Sequence, residues 1–250
     1  MSAEPARAKL YLLDVEGTVA PLTLTTELLF PYARRHFANY LNENLGDPAV
    51  RTDLELLLKE NVAEAAAPRI QFSRVPDSTD SISTPDFQLR ALVYLFWLMD
   101  RDRKSTALKS LQGKIWKAGF ESGELKGTLF DDVPEAFRRW SAAGKVAIYS
   151  SGSVEAQNLL FGHTVFGDLR PLISGYFDTR TGPKTASASY AAIATAMQVA
   201  PRESVFFSDV VMELDAARDA EMETRLVVRE GNAVVGDARG HWRVESLSNG

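Results

Sequence analysis

The chain has 250 residues, 45% of them hydrophobic and 24% charged, and a formal net charge of -5. That length allows a substantial core in one large domain or two smaller ones, while the acidic balance argues against nucleic acid as the main partner, since no basic excess is present to release counterions. The absence of cysteine excludes disulfides, thiol catalysis and zinc–thiolate sites.

The opening MSAEPARAK carries charge with no apolar segment behind it, so no signal peptide is expected. Residues 10–13, LYLL, are continuously apolar, the pattern of a short strand buried on both faces. Asp14, Val15 and Glu16 cut the run off, and Gly17 and Thr18 start a turn. Residues 24–45 read as helix, with Leu28, Tyr32, Phe37, Tyr40 and Leu41 at helical spacing and Pro31 starting or kinking the segment. A second helical pattern covers 50–67, and 68–85, rich in Pro, Ser and Asp, reads as a long loop. Residues 86–100 are apolar almost all round, as in a helix packed on two sides, with Asp86 as its N-cap. Its apolar run is far shorter than the ~20 residues of a membrane span, so a cytosolic chain is expected. The next helix, over 102–120, turns Leu108, Leu111, Ile115 and Trp116 inward and carries Arg103, Lys104 and Lys109 on its polar face.

From about residue 128 the rhythm changes. A helix over 131–143, with Val133, Ala136, Phe137 and Trp140 inward, is ended by Gly144. A strand over 146–149, a helix over 154–162, a helix over 189–198, a strand over 204–209, a helix over 211–221 and the apolar stretch at 225–230 follow. Strands alternating with helices of this length predict βαβ units, hence an α/β fold with a Rossmann-like parallel sheet. The first strand is separated from the rest by the helical block, which is therefore an insertion: core over 1–20 and 126–250, helical domain over 21–125. The last twenty residues give weak signals.

In extended geometry Asp14 and Glu16 project to one side, just past the strand's carboxyl end, where an open parallel sheet places its ligand site. Two carboxylates crowded there repel each other unless a cation lies between them or one stays protonated; taken alone, the pair also suits an acidic loop. Three later stretches supply matching groups. Ser150 and Ser151 follow the strand VAIY and precede a helix, a place for hydroxyls and free N–H groups to hold phosphate. Lys184, in the loop RTGPKTAS, offers a fixed positive charge, and Asp209, after VFF, a third carboxylate. Each type is ordinary in its place, and the order of the set is the signal. His36, His163 and His241 are far apart, form no ligand motif and read as surface or packing residues.

This order resembles the haloacid dehalogenase superfamily of phosphohydrolases, whose motifs are Asp-x-Asp (here Asp-x-Glu), Ser or Thr, Lys and a terminal Asp. The inserted block matches that superfamily's C1-type cap domain. DVEGT, LLFPYAR at 28–34, DRKSTALKSLQGKIW at 102–116, GELKG at 123–127, YSSGSVEAQNLLFG at 149–162 and SDVVMELDAA at 208–217 narrow the likeness to the enolase-phosphatase (acireductone synthase) family. After Glu16-Gly17-Thr18 that family usually continues with threonine and Pro-Ile, where this chain has Val19, Ala20, Pro21 and Leu22.

The resemblance implies a bifunctional enzyme of methionine salvage that enolises 2,3-diketo-5-methylthiopentyl-1-phosphate and removes its phosphate to give acireductone, using Mg²⁺. It implies Asp14 as nucleophile, Mg²⁺ held by Asp14, Asp209 and the Glu16 position through side chain or backbone carbonyl, and phosphate held by Ser150, Ser151 and Lys184. Glu16, one methylene longer than Asp, is read either as the base for enolisation and the acid for dephosphorylation, or as a ligand through its carbonyl alone. The partner expected is a small phosphorylated diketone, with no membrane or nucleic acid, acting on a monomer. A general small-molecule phosphatase of the same superfamily and a catalytically silent binding protein are the rival readings.

Overall fold

The computed structural model describes residues 8–64, 66–68 and 85–249; most of the expected 68–85 loop and most of the N-terminal stretch lie outside them. In chain order, strand β1 (Leu10–Leu13) leads through a π-helical segment, Leu24–Leu29, into α1 (Phe30–Asn44), α2 (Pro48–Ala63), α3 (Pro85–Asp100) and α4 (Thr106–Ser122). Then come α5 (Val133–Ala143), β2 (Lys145–Tyr149), α6 (Val154–Gly162), β3 (Gly175–Phe177), α7 (Ser187–Ala196), β4 (Ser204–Ser208), α8 (Val211–Asp219), β5 (Glu223–Val227) and β6 (Trp242–Val244). The contacts divide the chain into two compact units, Met1–Thr26 with Gly123–Gly250, and Glu27–Ser122.

The first unit is built on a six-stranded, wholly parallel sheet in the order β3-β2-β1-β4-β5-β6. The chain winds from β1 outward through β2 to β3, then crosses to β4 and winds the other way. That reversal beside β1 is the switch point at which such sheets open a crevice past their carboxyl ends. All four β1 residues are buried, as the unbroken apolar run requires. On one face Leu10 and Leu12 join Tyr190 and Ile193 of α7 and Leu214 of α8. On the other, the Tyr11 ring stacks on Trp140 of α5 at 4.9 Å, and Trp140 meets Phe207 at 5.0 Å. The edge strands β3 and β6, three residues each, are too short to give a periodic signal and were not separately expected.

In the second unit α4 packs against α1 and α2, and α1 against α3. Four expectations fail here. The 24–45 helix is π-helical over its first six residues, and α1 begins at Phe30, with Pro31 in the first turn where a missing N–H costs nothing. Asp86 is not an N-cap: the helix starts at Pro85, and the Asp86 carboxylate accepts from Arg90 at 2.8 Å one turn on. Its helix buries Phe87, Ala91, Tyr94, Leu95 and Leu98, whereas Leu89 and Val93 stay exposed, so it is not packed on two sides among the described residues. Arg103 and Lys104 precede α4 rather than riding on it, because Ser105 Oγ accepts from the Leu108 N–H at 3.0 Å, and Glu60 accepts from the Thr106 N–H at 3.0 Å, fixing the helix start there. Among the described residues no helix is long and apolar enough to cross a membrane.

Candidate active site

The strand register sets Leu13 beside Ile148 on one side and Phe207 on the other, so Asp14, Ser150 and Asp209 all follow directly from adjacent strand ends. Asp14 is buried, its N–H donating to Phe207 O at 3.0 Å. Its Oδ1 accepts the Val15 N–H at 2.7 Å and lies 2.6 Å from Lys184 Nζ, which is also 2.6 Å from Glu213 Oε2 on α8. Ser208 Oγ reaches the same Glu213 oxygen at 3.1 Å. Burial works against the Lys184 charge, but Asp14 and Glu213 outweigh it and hold the ammonium above the ordinary lysine value. Burial and then the Asp14 charge push Glu213 above the ordinary carboxylate range, more than Lys184 pulls it down.

Lys184 is held from behind by hydroxyls on three successive carbonyls. Tyr149 donates to Gly182 O at 2.8 Å, Ser189 to Pro183 O at 2.8 Å and Tyr190 to Lys184 O at 2.7 Å. Gly182 has φ +151°, and a Cβ there would lie 2.3 Å from Ser189 Oγ, so only glycine permits this loop.

The turn after Asp14 does not stay extended. Val15 O accepts from the N–H groups of Thr18, Val19 and Ala20, and the Gly17 N–H donates to Ala20 O at 2.8 Å. The alternation that was to carry Asp14 and Glu16 to one side therefore ends with the strand. Asp14 faces Lys184, while Glu16 Oε1 accepts from the hydroxyl of Thr25 in the π-helical segment. The remaining turn carbonyls are also held: Gly17 O by Asn232 Nδ2 at 2.9 Å, Thr18 O by Arg229 Nε at 3.3 Å and Val19 O by the Phe130 N–H at 3.0 Å. The Glu16 carbonyl is an acceptor in none of these bonds. Gly17, at φ +72°, lets the Asp209 carboxylate lie against the turn, since a Cβ would stand 2.4 Å from Asp209 Oδ2. Burial, followed by the charges of Asp14 and more weakly Glu16, pushes Asp209 up to about 6.

Ser150 is buried and donates its N–H to Phe177 O at 3.1 Å, while its Oγ accepts the Gly152 N–H at 3.1 Å, leaving the hydroxyl hydrogen to be donated elsewhere. Ser151 is exposed, and Ser153 caps α6 on the Ala156 N–H at 3.2 Å. Asp14 and Lys184 thus meet directly, Asp209 joins them through the turn, and the serines stand at the neighbouring strand end. Glu213, Thr25, Arg229 and Asn232 were not singled out from the sequence. Only Glu213 had a readable signal, an acid one helical turn after Asp209.

The family model of haloacid dehalogenase-like hydrolases matches residues 8–221, the span that holds Asp14, Ser150, Lys184 and Asp209. Enolase-phosphatase E1 of Synechococcus elongatus is 51% identical over 234 residues, covering 92% of this chain and 93% of that one. Enolase-phosphatase E1 of Danio rerio is 39% identical, covering 99% and 95%. The crystal structure of the UTR4 protein of Saccharomyces cerevisiae superposes with a TM-score of 0.75 at 32% identity, covering 96% of this chain and 98% of that one. The chain belongs to the enolase-phosphatase E1 family.

Proposed function

We propose that this chain enolises 2,3-diketo-5-methylthiopentyl-1-phosphate and then hydrolyses the enol phosphate to acireductone and phosphate, the enolase-phosphatase step of methionine salvage. The observation that carries this reading is one turn bearing two acids with separate holders: Asp14, 2.6 Å from Lys184, and Glu16, tied to Thr25.

In this reading Glu16 takes the proton from the carbon beside the substrate carbonyl at the phosphate end, leaving the electron pair on the carbonyl oxygen as the enolate. Thr25 occupies Oε1 and so leaves Oε2 for the proton. Asp14 Oδ1 is engaged by Lys184 and the Val15 N–H, whereas Oδ2 has only the long 3.5 Å contact from Ser208 Oγ and is the oxygen that attacks phosphorus. The Oδ2–phosphorus bond forms as the bond from phosphorus to the enol oxygen breaks, and Glu16 returns its proton to that oxygen. Glu16 next takes a proton from water, which hydrolyses the aspartyl-phosphate and frees Asp14, and gives that proton up to the enolate oxygen, completing acireductone and restoring the carboxylate. Lys184, Ser150 and Ser151 hold the phosphate oxygens and offset their charge.

The residues present fit Mg²⁺. Asp14, Asp209 and the Glu16 carbonyl, which accepts none of the turn's hydrogen bonds among the described residues, offer hard oxygens, and burial followed by the Asp14 charge pushes Asp209 up to about 6. Among the described residues no three His, Cys, Asp or Glu side chains gather into a metal cluster, and Mg²⁺ needs none, because it keeps several waters on one or two carboxylates. When bound it supplies charge neutralisation for the phosphate and polarises the substrate carbonyl. We assign the helical insertion, expected over 21–125, the role of a cap that excludes water during enolisation. The same reading makes the chain a cytoplasmic monomer.

The test is a two-signal assay on the diketo-phosphate, absorbance for the enol and a phosphate assay for release. Both signals are expected, and both vanish with EDTA. Phosphate release without enol, or turnover only of unrelated esters, returns the chain to the general phosphatases. Glu16→Gln is expected to lower both signals by about 10²–10⁴-fold, the usual worth of a positioned acid–base group. A variant that still enolised would confine Glu16 to its carbonyl.

A further inference from the structure

Asn232 follows β5 and is 215 residues from Gly17 in sequence, yet its side-chain nitrogen donates to Gly17 O at 2.9 Å and reaches Val227 O, the last residue of β5, at 3.4 Å. Two carbonyls on one end of the amide fix that end as nitrogen, because the flipped amide would set oxygen against oxygen. The Oδ1 end is buried and has no hydrogen-bond partner among the described residues, so the side chain is placed for what its nitrogen holds.

What it holds is the carbonyl of a glycine whose N–H, in the neighbouring peptide group, is already fixed. The Gly17 N–H donates to Ala20 O at 2.8 Å. A peptide is planar and trans, so an anchored Gly17 N–H aims the Glu16 carbonyl the opposite way. Anchoring the Gly17 carbonyl as well fixes both peptide groups that meet at this glycine, the residue freest to rotate, so the Glu16 carbonyl cannot swing about it. The same glycine is the surface on which the Asp209 carboxylate rests. One bond from Asn232 therefore bears on two of the three oxygens assigned to the cation.

We propose that Asn232 is a positioning residue of the metal site, tying the turn of Glu16 and Gly17 to the end of β5 so that the Glu16 carbonyl is pre-aimed beside Asp14 and Asp209. This rests on the metal assignment made above. A residue that merely anchored its own segment would lower stability without changing the affinity of the folded protein for the metal.

The experiment titrates the full chain with MgCl₂ in the absence of substrate and takes the dissociation constant from the concentration dependence of the melting temperature. Asn232→Ala is expected to weaken Mg²⁺ binding by about 10–100-fold, the usual cost of losing an outer-shell partner, and raised MgCl₂ restores part of its kcat/KM. Asn232→Asp, the same size without the donor, weakens binding at least as much and serves where the alanine variant fails to fold. Val234→Ala, at a 99% exposed position of the same segment, leaves the affinity unchanged. Wild-type affinity in both Asn232 variants overturns the proposal alone. A wild-type chain that neither binds MgCl₂ nor loses activity in EDTA overturns the metal reading beneath it.

Discussion

Asp14→Asn is expected to lower phosphate release by about 10⁴-fold or more, since an amide cannot form the aspartyl-phosphate and loss of a nucleophile is among the largest single effects in enzymes. Enolisation should fall less, because Glu16 and its Thr25 contact are untouched. The enol phosphate then accumulates, visible as absorbance without phosphate. Stability should move the other way. Asp14 is the largest charge pushing up both Asp209 and Glu213, and a carboxylate whose folded pKa lies above its unfolded value weakens the fold as pH rises past the unfolded pKa. With the charge at 14 gone, Lys184 has one carboxylate to serve, so in EDTA at pH 7.5 the variant should melt above wild type. Lowering the pH toward 4 should close the gap as the carboxylates protonate in both proteins. In saturating MgCl₂ the wild type gains more stabilisation than the variant, in which a neutral amide oxygen replaces the Asp14 carboxylate. Equal phosphate release by the variant would remove Asp14 as nucleophile, and a lower melting point in EDTA would show that the Lys184 contact outweighs the repulsion.

What could be read from the chain alone was whatever announces itself locally. LYLL is buried on both faces and has the unbroken apolar pattern of such a strand, so β1 and its position were evident. Asp14, Lys184 and Asp209 sit where strands and loops end, and an acid or lysine there stands out against an apolar neighbour. The turn was less legible. The expectation that Asp14 and Glu16 share a side assumed extended backbone, but three N–H groups converge on Val15 O and end the alternation. Arg103 and Lys104 were drawn onto α4 because helical spacing continues through them, whereas the helix start is set by Ser105 and by Glu60, 45 residues earlier. Arg229 and Asn232 lay beyond local reading altogether: their segment has no periodicity, and the turn carbonyls they hold are more than two hundred residues away.

Asp132→Ala carries the largest expected loss of stability. Asp132 stands at the start of α5 and accepts from both Arg229 terminal nitrogens at 2.9 Å, from Ser246 Oγ at 2.8 Å and from the Leu247 N–H at 2.8 Å. Arg229 in turn lies over the Phe130 ring at 4.4 Å and donates to Thr18 O and Glu245 O. The two side chains are only 7% and 15% exposed, so removing the acid strands a buried guanidinium. Such a break costs about 3–5 kcal/mol, which in a chain of this size is a fall of roughly 6–20 °C in melting temperature. Burial raises the Asp132 pKa, but the bonds from Arg229, Ser246 and Leu247 prevail and hold it below the ordinary value. Its contribution is therefore complete above a pH of about 4 and is lost as pH falls through the ordinary carboxylate value to the lowered one. Calorimetry should show a constant gap between wild type and variant from pH 8 to about 5 that closes in acid. Asp132→Asn, which keeps acceptors for Ser246 and Leu247 but gives up the charge, should fall between. A loss under about 2 °C in the alanine variant would mean that water satisfies Arg229 and that the pair is of the weak, solvated kind. Because Arg229 also holds the Thr18 carbonyl, the alanine variant should lose activity at temperatures where it is still folded, the turn beneath Glu16 having lost one of its anchors.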